Sequence, residues 1–167
     1  MPIKINVDNR CADSNTYRAN RVKSMFNATG EQATRFSLDA TLGVEEDGDW
    51  QIGVVVGPSG SGKTSIGKQL FGGGHIYEPS GWEHDKPIVD CIDPGGDFDA
   101  VTGALSQAGL GDVPAWLRPY HVLSNGQKFR ADLAKILAER PDRVIIDEFS
   151  SVVDRQIARV GAGAFAK

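Results

Sequence analysis

The sequence predicts an α/β fold with a largely parallel central sheet that is flanked by helices. Short runs rich in Val and Ile alternate along the chain with segments of helical periodicity. Turn residues, chiefly Gly, Pro, Asn and Asp, separate these segments. The composition, 40% hydrophobic and 24% charged over 167 residues, is typical of one globular domain with a real core. We therefore expect a single domain over residues 1–167.

The first elements are predicted to be strands. Alternating and β-branched residues predict strands over residues 3–7 and 36–44, and an acidic turn over 45–49. Residues 51–56 form a continuous apolar run, which is typical of a buried strand.

The octet that follows this run carries most of the chemical information. It consists of Gly57, Pro58, Ser59, Gly60, Ser61, Gly62, Lys63 and Thr64. It matches the phosphate-binding loop, or Walker A motif, and residues 65–70 continue it as a helix. Glycines let backbone N–H groups converge on phosphate oxygens, and a helix N-terminus favours negative charge. We expect Lys63 to reach the β- and γ-phosphates and Thr64 to bind Mg²⁺; the alternative is a glycine-rich turn that binds nothing.

The middle of the chain predicts several further elements. Glycines at 72–74 end the first helix, and the apolar run 87–92 predicts a strand. Residues 99–108 have helical periodicity, and Asp112 followed by Val113 and Pro114 starts another short helix.

A second helix start lies at residues 123–127. Ser124 is a favourable N-cap for a helix that runs to Arg140 and Pro141, and a helix N-terminus offers a hydroxyl and backbone donors to a phosphate. Ser124 acting only as a helix cap is the alternative.

Two carboxylates follow the apolar run 143–146, which we predict to be a strand. Asp147 is placed to hold Mg²⁺, and Glu148 to position the attacking water beside a γ-phosphate. Taken alone, this pattern also fits a strand that ends in a solvated turn. Paired with the phosphate loop, it favours phosphoryl transfer.

These motifs together resemble the ATP-binding cassette (ABC) ATPases. The segment Leu123, Ser124, Asn125, Gly126 and Gln127 matches the usual Leu-Ser-Gly-Gly-Gln signature at four of five positions, and Asn125 is the departure. Residues 150–154 resemble the D-loop of this family. The resemblance covers residues 36–160, with 1–35 as an N-terminal extension or first strands, and it implies a P-loop NTPase fold.

The resemblance also implies how nucleotide is held. Members of the family pair head-to-tail, so Ser124, Asn125 and Gly126 would act on ATP bound by a partner cassette or a second copy. An aromatic ring upstream of the phosphate loop stacks on the adenine in this family. Phe26 is the first choice here, Phe36 and Tyr17 are alternatives, and each could instead be an ordinary core aromatic.

Two departures from the family bear on partners. No glutamine follows the predicted strand 87–92, and the chain ends before the strand that precedes the switch histidine of the family. The resemblance therefore implies a cassette shortened after the D-loop and lacking the distal strands, or a fragment of a complete cassette. It requires no membrane partner.

Charge and composition limit the remaining function classes. A net charge of −4 argues against extensive nucleic-acid binding, although residues 1–35 are locally basic and leave a local contact possible. Two isolated cysteines show no metal spacing, and no signal peptide or membrane span is evident, so we expect a cytoplasmic protein. The sequence predicts an Mg²⁺-dependent ATPase. The alternative is a module that uses ATP for assembly with little or no hydrolysis; a small-molecule kinase is disfavoured by the signature loop.

Overall fold

A computed structural model describes residues 2–28, 35–45, 51–149, 151 and 153–165. Within it the chain forms two compact units, Met1–Gly74 and His75–Lys167. That all 167 residues form a single domain stays a prediction.

The first unit is built on two antiparallel strands, β1 (Pro2–Arg10) and β2 (Arg35–Glu45). Side chains alternate along β1, so Ile5 and Val7 are buried while Lys4 and Asn6 are exposed. Both strands were predicted. Strand β2 extends one residue beyond the prediction at each end, and β1 begins one residue before its prediction and ends three residues after it.

Two helices belong to the first unit. Helix α1 (Tyr17–Phe26) begins at Thr16, whose hydroxyl accepts from the Ala19 amide, and it buries none of its residues. Helix α2 (Lys63–Phe71) packs Ile66 against the buried face of β1 and ends at Gly72, as predicted. The start of α2 is therefore held on a small apolar core.

The strand predicted over residues 51–56 is wrong. This segment has no regular secondary structure and pairs with no strand in the described part of the chain. Its apolar side chains are exposed, 79% for Val54 and 84% for Val56. A β-branched run favours extended backbone, but a strand also requires a neighbour for its backbone hydrogen bonds.

The second unit is helical. Its helices are α3 (Ile88–Cys91), α4 (Phe98–Gln107), α5 (Val113–Trp116), α6 (Asn125–Glu139) and α7 (Arg155–Phe165). Helices α4 and α6 pack together, and the core between the helices includes the fully buried side chains Ile88, Ile92, Leu105, Leu110 and Leu133. The predicted helices at 99–108, after Asp112 and after Ser124 are confirmed.

The strand predicted over residues 87–92 is also wrong, because these residues form α3. Pro87 occupies the N-cap position, and Ile88, Cys91 and Ile92 are buried together at helical spacing. A short apolar run fits either period, and here Pro87 and the i, i+3, i+4 spacing favour the helix.

The predicted strand before Asp147 is reduced to one parallel bridge, between Ile145 and Ile76. Beyond this bridge, the largely parallel central sheet is not confirmed, since the sheet found in the described residues is the antiparallel β1–β2 pair. Most of the predicted acidic turn and positions 150 and 152 of the D-loop lie outside the described residues.

Candidate functional site: a phosphate loop and a capped helix

The phosphate loop leads into α2 through two glycines with left-handed backbone angles. Gly60 has φ 76° and Gly62 has φ 81°, a region that side-chain-bearing residues rarely adopt. The Nζ of Lys63 donates to the carbonyl oxygens of Gly57 (3.1 Å) and Pro58 (2.9 Å). The first two residues of the loop thus hold the Lys63 ammonium through their carbonyl oxygens.

Gly62 has a second reason to be glycine. A Cβ at this position would lie 2.7 Å from the ring of Phe36, on β2. Phe36 also packs on the Ile5, Val7 and Ile66 core. The Phe36 ring therefore lies between the loop and this core. The predicted adenine partner Phe26 and its alternative Tyr17 instead lie on α1, with 74% and 76% of their surface exposed. Their high exposure excludes the core-aromatic alternative for Phe26 and Tyr17, and base stacking stays a prediction.

The signature loop forms the capped start of α6. The Ser124 hydroxyl accepts from the Gln127 amide (3.3 Å), and the Gln127 side chain accepts from the Ser124 amide (3.0 Å). This reciprocal pair is a capping box, which confirms the predicted cap. The box uses the amides of Ser124 and Gln127, so Asn125 and Gly126 supply the amides that remain at this helix N-terminus.

The two carboxylates occupy a tight turn. Asp147 accepts from the amide of Glu148 (3.0 Å), and the carbonyl of Glu148 accepts from the amide of Ser151 (2.9 Å). Glu148 has φ 50°, and both carboxylate residues are exposed. Downstream, Asp154 of the predicted D-loop accepts from the amides of Gln156 and Ile157, and it thereby caps α7.

The donor chemistry fits a nucleotide with magnesium. Within the described ranges, the Lys63 ammonium is bonded to carbonyl oxygens of the loop backbone, which phosphate oxygens can replace. No group of three metal-ligating side chains occurs among the described residues. Magnesium in nucleotide sites takes only one or two protein oxygens, with phosphates and waters completing its shell, and the Thr64 hydroxyl and the Asp147 carboxylate are each the kind of oxygen that it takes.

Sequence analysis missed a polar cluster on α6. Asp132 lies between Ala131 and Leu133, which are both buried. Its Oδ1 accepts from the Tyr77 hydroxyl (3.0 Å) and the Trp82 indole N–H (3.1 Å), and its Oδ2 accepts from the Tyr120 hydroxyl (2.7 Å). A lone acid among the buried positions of an apolar helix was the available sequence clue.

This cluster shifts the ionisation of its members. Burial raises the pKa of Asp132, and the hydrogen bonds from Tyr120, Tyr77 and Trp82 oppose that shift. Burial also raises the pKa of Tyr77 and of Tyr120 above that of free tyrosine, and the nearby Asp132 carboxylate adds to both shifts.

The predicted site residues fall into two groups. The phosphate loop, with Lys63 and Thr64, belongs to the first unit, and so do Phe26, Phe36 and Tyr17. Ser124, Asn125, Gly126, Asp147 and Glu148 belong to the second unit. None of the described helices has the length and hydrophobicity needed to cross a membrane.

Comparison with known proteins finds several similar curated proteins that are each named as ATP-binding, among them the following three. The chain is 31% identical over 137 residues to the cytochrome c biogenesis ATP-binding export protein CcmA of Pseudomonas savastanoi, covering 61% of this chain and 62% of that protein. It is 30% identical over 126 residues to the zinc import ATP-binding protein ZnuC of Roseobacter denitrificans, covering 64% and 49%. It is 28% identical over 161 residues to the energy-coupling factor transporter ATP-binding protein EcfA1 of Bacillus subtilis, covering 74% and 56%.

The chain thus spans about half to three-fifths of the length of these relatives. No family model matches it, and no solved structure matches it significantly.

Proposed function

Because the chain belongs to the ABC-type P-loop ATPases, we propose that it binds ATP with Mg²⁺ and hydrolyses it. The observation that carries the proposal is the phosphate loop, in which two left-handed glycines precede Lys63 and the Lys63 ammonium is bonded to carbonyl oxygens that phosphate oxygens can replace. The likeness to three proteins that are each named as ATP-binding supports the choice of ATP.

Each site residue has a role in this proposal. Lys63 exchanges the carbonyl oxygens of Gly57 and Pro58 for β- and γ-phosphate oxygens. Thr64 and Asp147 hold Mg²⁺, which neutralises charge on the phosphates when bound. Glu148 accepts a hydrogen bond from the attacking water and orients it toward the γ-phosphate. Its place in a left-handed turn leaves the carboxylate exposed, as this role requires.

The signature loop acts in trans in the same proposal. The Ser124 hydroxyl and the amides of Asn125 and Gly126 donate to the γ-phosphate of ATP held by a second copy or a related cassette. The largely parallel sheet and the cytoplasmic location also stay predictions. So do the process powered, any membrane partner and an adenine-stacking role for Phe26.

Turnover tests the catalytic half of the proposal. Phosphate release with Mg-ATP should fall by about 10²- to 10⁴-fold in Glu148→Gln, since the amide no longer accepts the water proton. Glu83→Gln is the matched control, because Glu83 is an exposed acid of the same unit whose carboxylate pairs with Lys86. Equal turnover in Glu148→Gln and wild type would assign catalysis elsewhere. ATP binding without turnover in the wild type would favour the assembly module instead.

Sedimentation tests the pairing half. The Glu148→Gln chain should form dimers with Mg-ATP but not with ADP, because the trans contacts require the γ-phosphate. Adding Ser124→Arg should block pairing by bulk while ATP binding to the monomer stays nearly intact. Gln107→Arg, an exposed change at the end of α4, is the control for added charge. A chain that stays monomeric at high concentration with saturating Mg-ATP would contradict self-pairing.

A further inference from the structure

The Asp132 cluster lies between two parts of the candidate site. On one side is the parallel bridge: the Tyr77 amide donates to the Ile145 carbonyl (2.9 Å), and the Ile145 amide donates to the His75 carbonyl (2.7 Å). Ile145 precedes the carboxylate Asp147 by only two residues. The backbone of Tyr77 is therefore tied directly to the segment that carries the catalytic carboxylates.

On the other side is the signature loop. Tyr120 belongs to a short 3₁₀ turn, Tyr120–Val122, that leads into Leu123 and Ser124. Its hydroxyl donates to Asp132, which lies two turns further along α6 than Ser124. This hydrogen bond joins Tyr120, which precedes the signature loop, to helix α6, which follows it.

One carboxylate joins these two sides. Asp132 Oδ1 holds Tyr77, and Asp132 Oδ2 holds Tyr120. We propose that Asp132 is a positioning residue that fixes the signature loop relative to the segment carrying Asp147 and Glu148. The functional part of this inference rests on the proposed function: the signature loop serves the ATP of the partner, so Asp132 would link the two ATP sites of a pair.

The chemistry of the cluster requires a carboxylate at this position. Three donors converge on two oxygens, and only an ionised carboxylate offers acceptors on both sides. An asparagine would turn one side into a donor that faces a hydroxyl. The ammonium of Lys135 lowers the pKa of Asp132 and so favours the ionised carboxylate. The Nζ of Lys135 also lies 4.9 Å from the centre of the Trp82 ring, donates to the Cys91 carbonyl (3.1 Å) and pairs with Glu139 (3.8 Å).

Aromatic packing makes the link stiff. The rings of Trp82 and Tyr120 are stacked, with centroids 4.6 Å apart and planes 9° from parallel. The Nζ of Lys128, in the first turns of α6, lies 5.6 Å from the centre of the Tyr120 ring. A Tyr→Phe change removes only the hydroxyl and keeps this packing, so it tests the hydrogen bond by itself.

Amide hydrogen exchange in the absence of nucleotide tests the link without relying on ATPase activity. Tyr77→Phe should raise exchange at Gln127 and Lys128 about fivefold, the change expected for one lost hydrogen bond. Exchange within α4 should stay unchanged. Tyr120→Phe should have the same effect at these amides, and Asp132→Asn a larger one. Tyr17→Phe, which removes an exposed hydroxyl in the first unit, is the matched control and should change neither helix.

Two results would overturn the inference. In one, the effect of Tyr77→Phe on exchange stays confined to the amides of Tyr77 and Ile145. The Asp132 carboxylate would then not couple this segment to the signature loop. In the other, exchange rises equally in α4 and α6, so that the cluster only adds global stability.

Sedimentation then separates this inference from the proposed function. In the Glu148→Gln background, Tyr77→Phe should weaken ATP-dependent pairing about fivefold while ATP affinity of the monomer stays unchanged. Unchanged pairing would overturn the functional part of the inference. If the Glu148→Gln parent itself fails to pair, the proposed pairing is wrong, and with it the link between two sites; the exchange experiment still decides whether Asp132 positions the loop.

Discussion

The phosphate loop and the signature helix are both recognisable as sequence motifs, yet their structural support differs. The phosphate loop follows residues 51–56, which pair with no strand among the residues that the structure describes and whose valines are exposed. The signature helix α6 is capped at Ser124, packs on α4, buries Leu133 and is tied to neighbouring segments through Asp132. The difference shows that a motif specifies the local chemistry of a site. The packing of the segments beside it depends on contacts with residues outside the motif.

The largest expected effect is on stability. Leu133→Ala should lower the free energy of unfolding by about 2–5 kcal/mol, because Leu133 is 1% exposed and the change leaves a cavity in the second-unit core. Urea denaturation followed by circular dichroism measures this loss.

Val54→Ser is the counterpart in the first unit. Val54 is 79% exposed, so this change should alter the free energy of unfolding by no more than about 0.5 kcal/mol. A loss as large as that of Leu133→Ala would break the comparison, because it would show that residues 51–56 form the buried strand that the sequence predicts.

The next effect is on affinity. Lys63→Ala should weaken Mg-ATP binding by about 10- to 100-fold in isothermal titration, because it removes a charge-assisted donor to the phosphates. Lys68→Ala is the control, since Lys68 is an exposed lysine later on the same helix α2. Equal affinity of Lys63→Ala and wild type would remove Lys63 from the site and leave the loop a structural turn.

The smallest effect is a pH dependence confined to the second unit. Burial raises the pKa of Tyr77 and Tyr120, so the folded state favours their neutral phenols. Their contribution to stability is fully present below the unfolded pKa of 10.0 and is lost as pH rises above it toward the folded pKa. The urea midpoint should therefore fall above pH 10.

The double variant Tyr77→Phe/Tyr120→Phe isolates these two groups. Its urea midpoint should fall less steeply above pH 10 than that of the wild type, because two titrating phenols are gone. Identical slopes would mean that both hydroxyls ionise as readily in the folded chain as in the unfolded one, which contradicts their burial.

Much of the local structure could be predicted from sequence. Ser124 and Gln127 form the expected cap, because a capping box depends on residues only three apart. Pairing partners could not be predicted in the same way. Residues 51–56 and 87–92 are both short apolar runs, yet the first is irregular and exposed and the second forms a buried helix. Contacts between residues distant in sequence decide whether such a run becomes a strand or a helix. The Asp132 cluster joins residues 55 and 50 positions apart, and it was not predicted for the same reason.

The contacts of Lys63 with the carbonyl oxygens of Gly57 and Pro58 bear on how fast nucleotide is captured. Because the loop already holds the Lys63 ammonium, it loses little conformational entropy when phosphate binds. The ammonium only exchanges carbonyl oxygens for phosphate oxygens. Association then needs no slow rearrangement of this loop, and differences in affinity among nucleotides should arise mainly from their residence times. Triphosphate and diphosphate would enter at similar rates, and the number of oxygens within reach of Lys63 would decide which one stays longer.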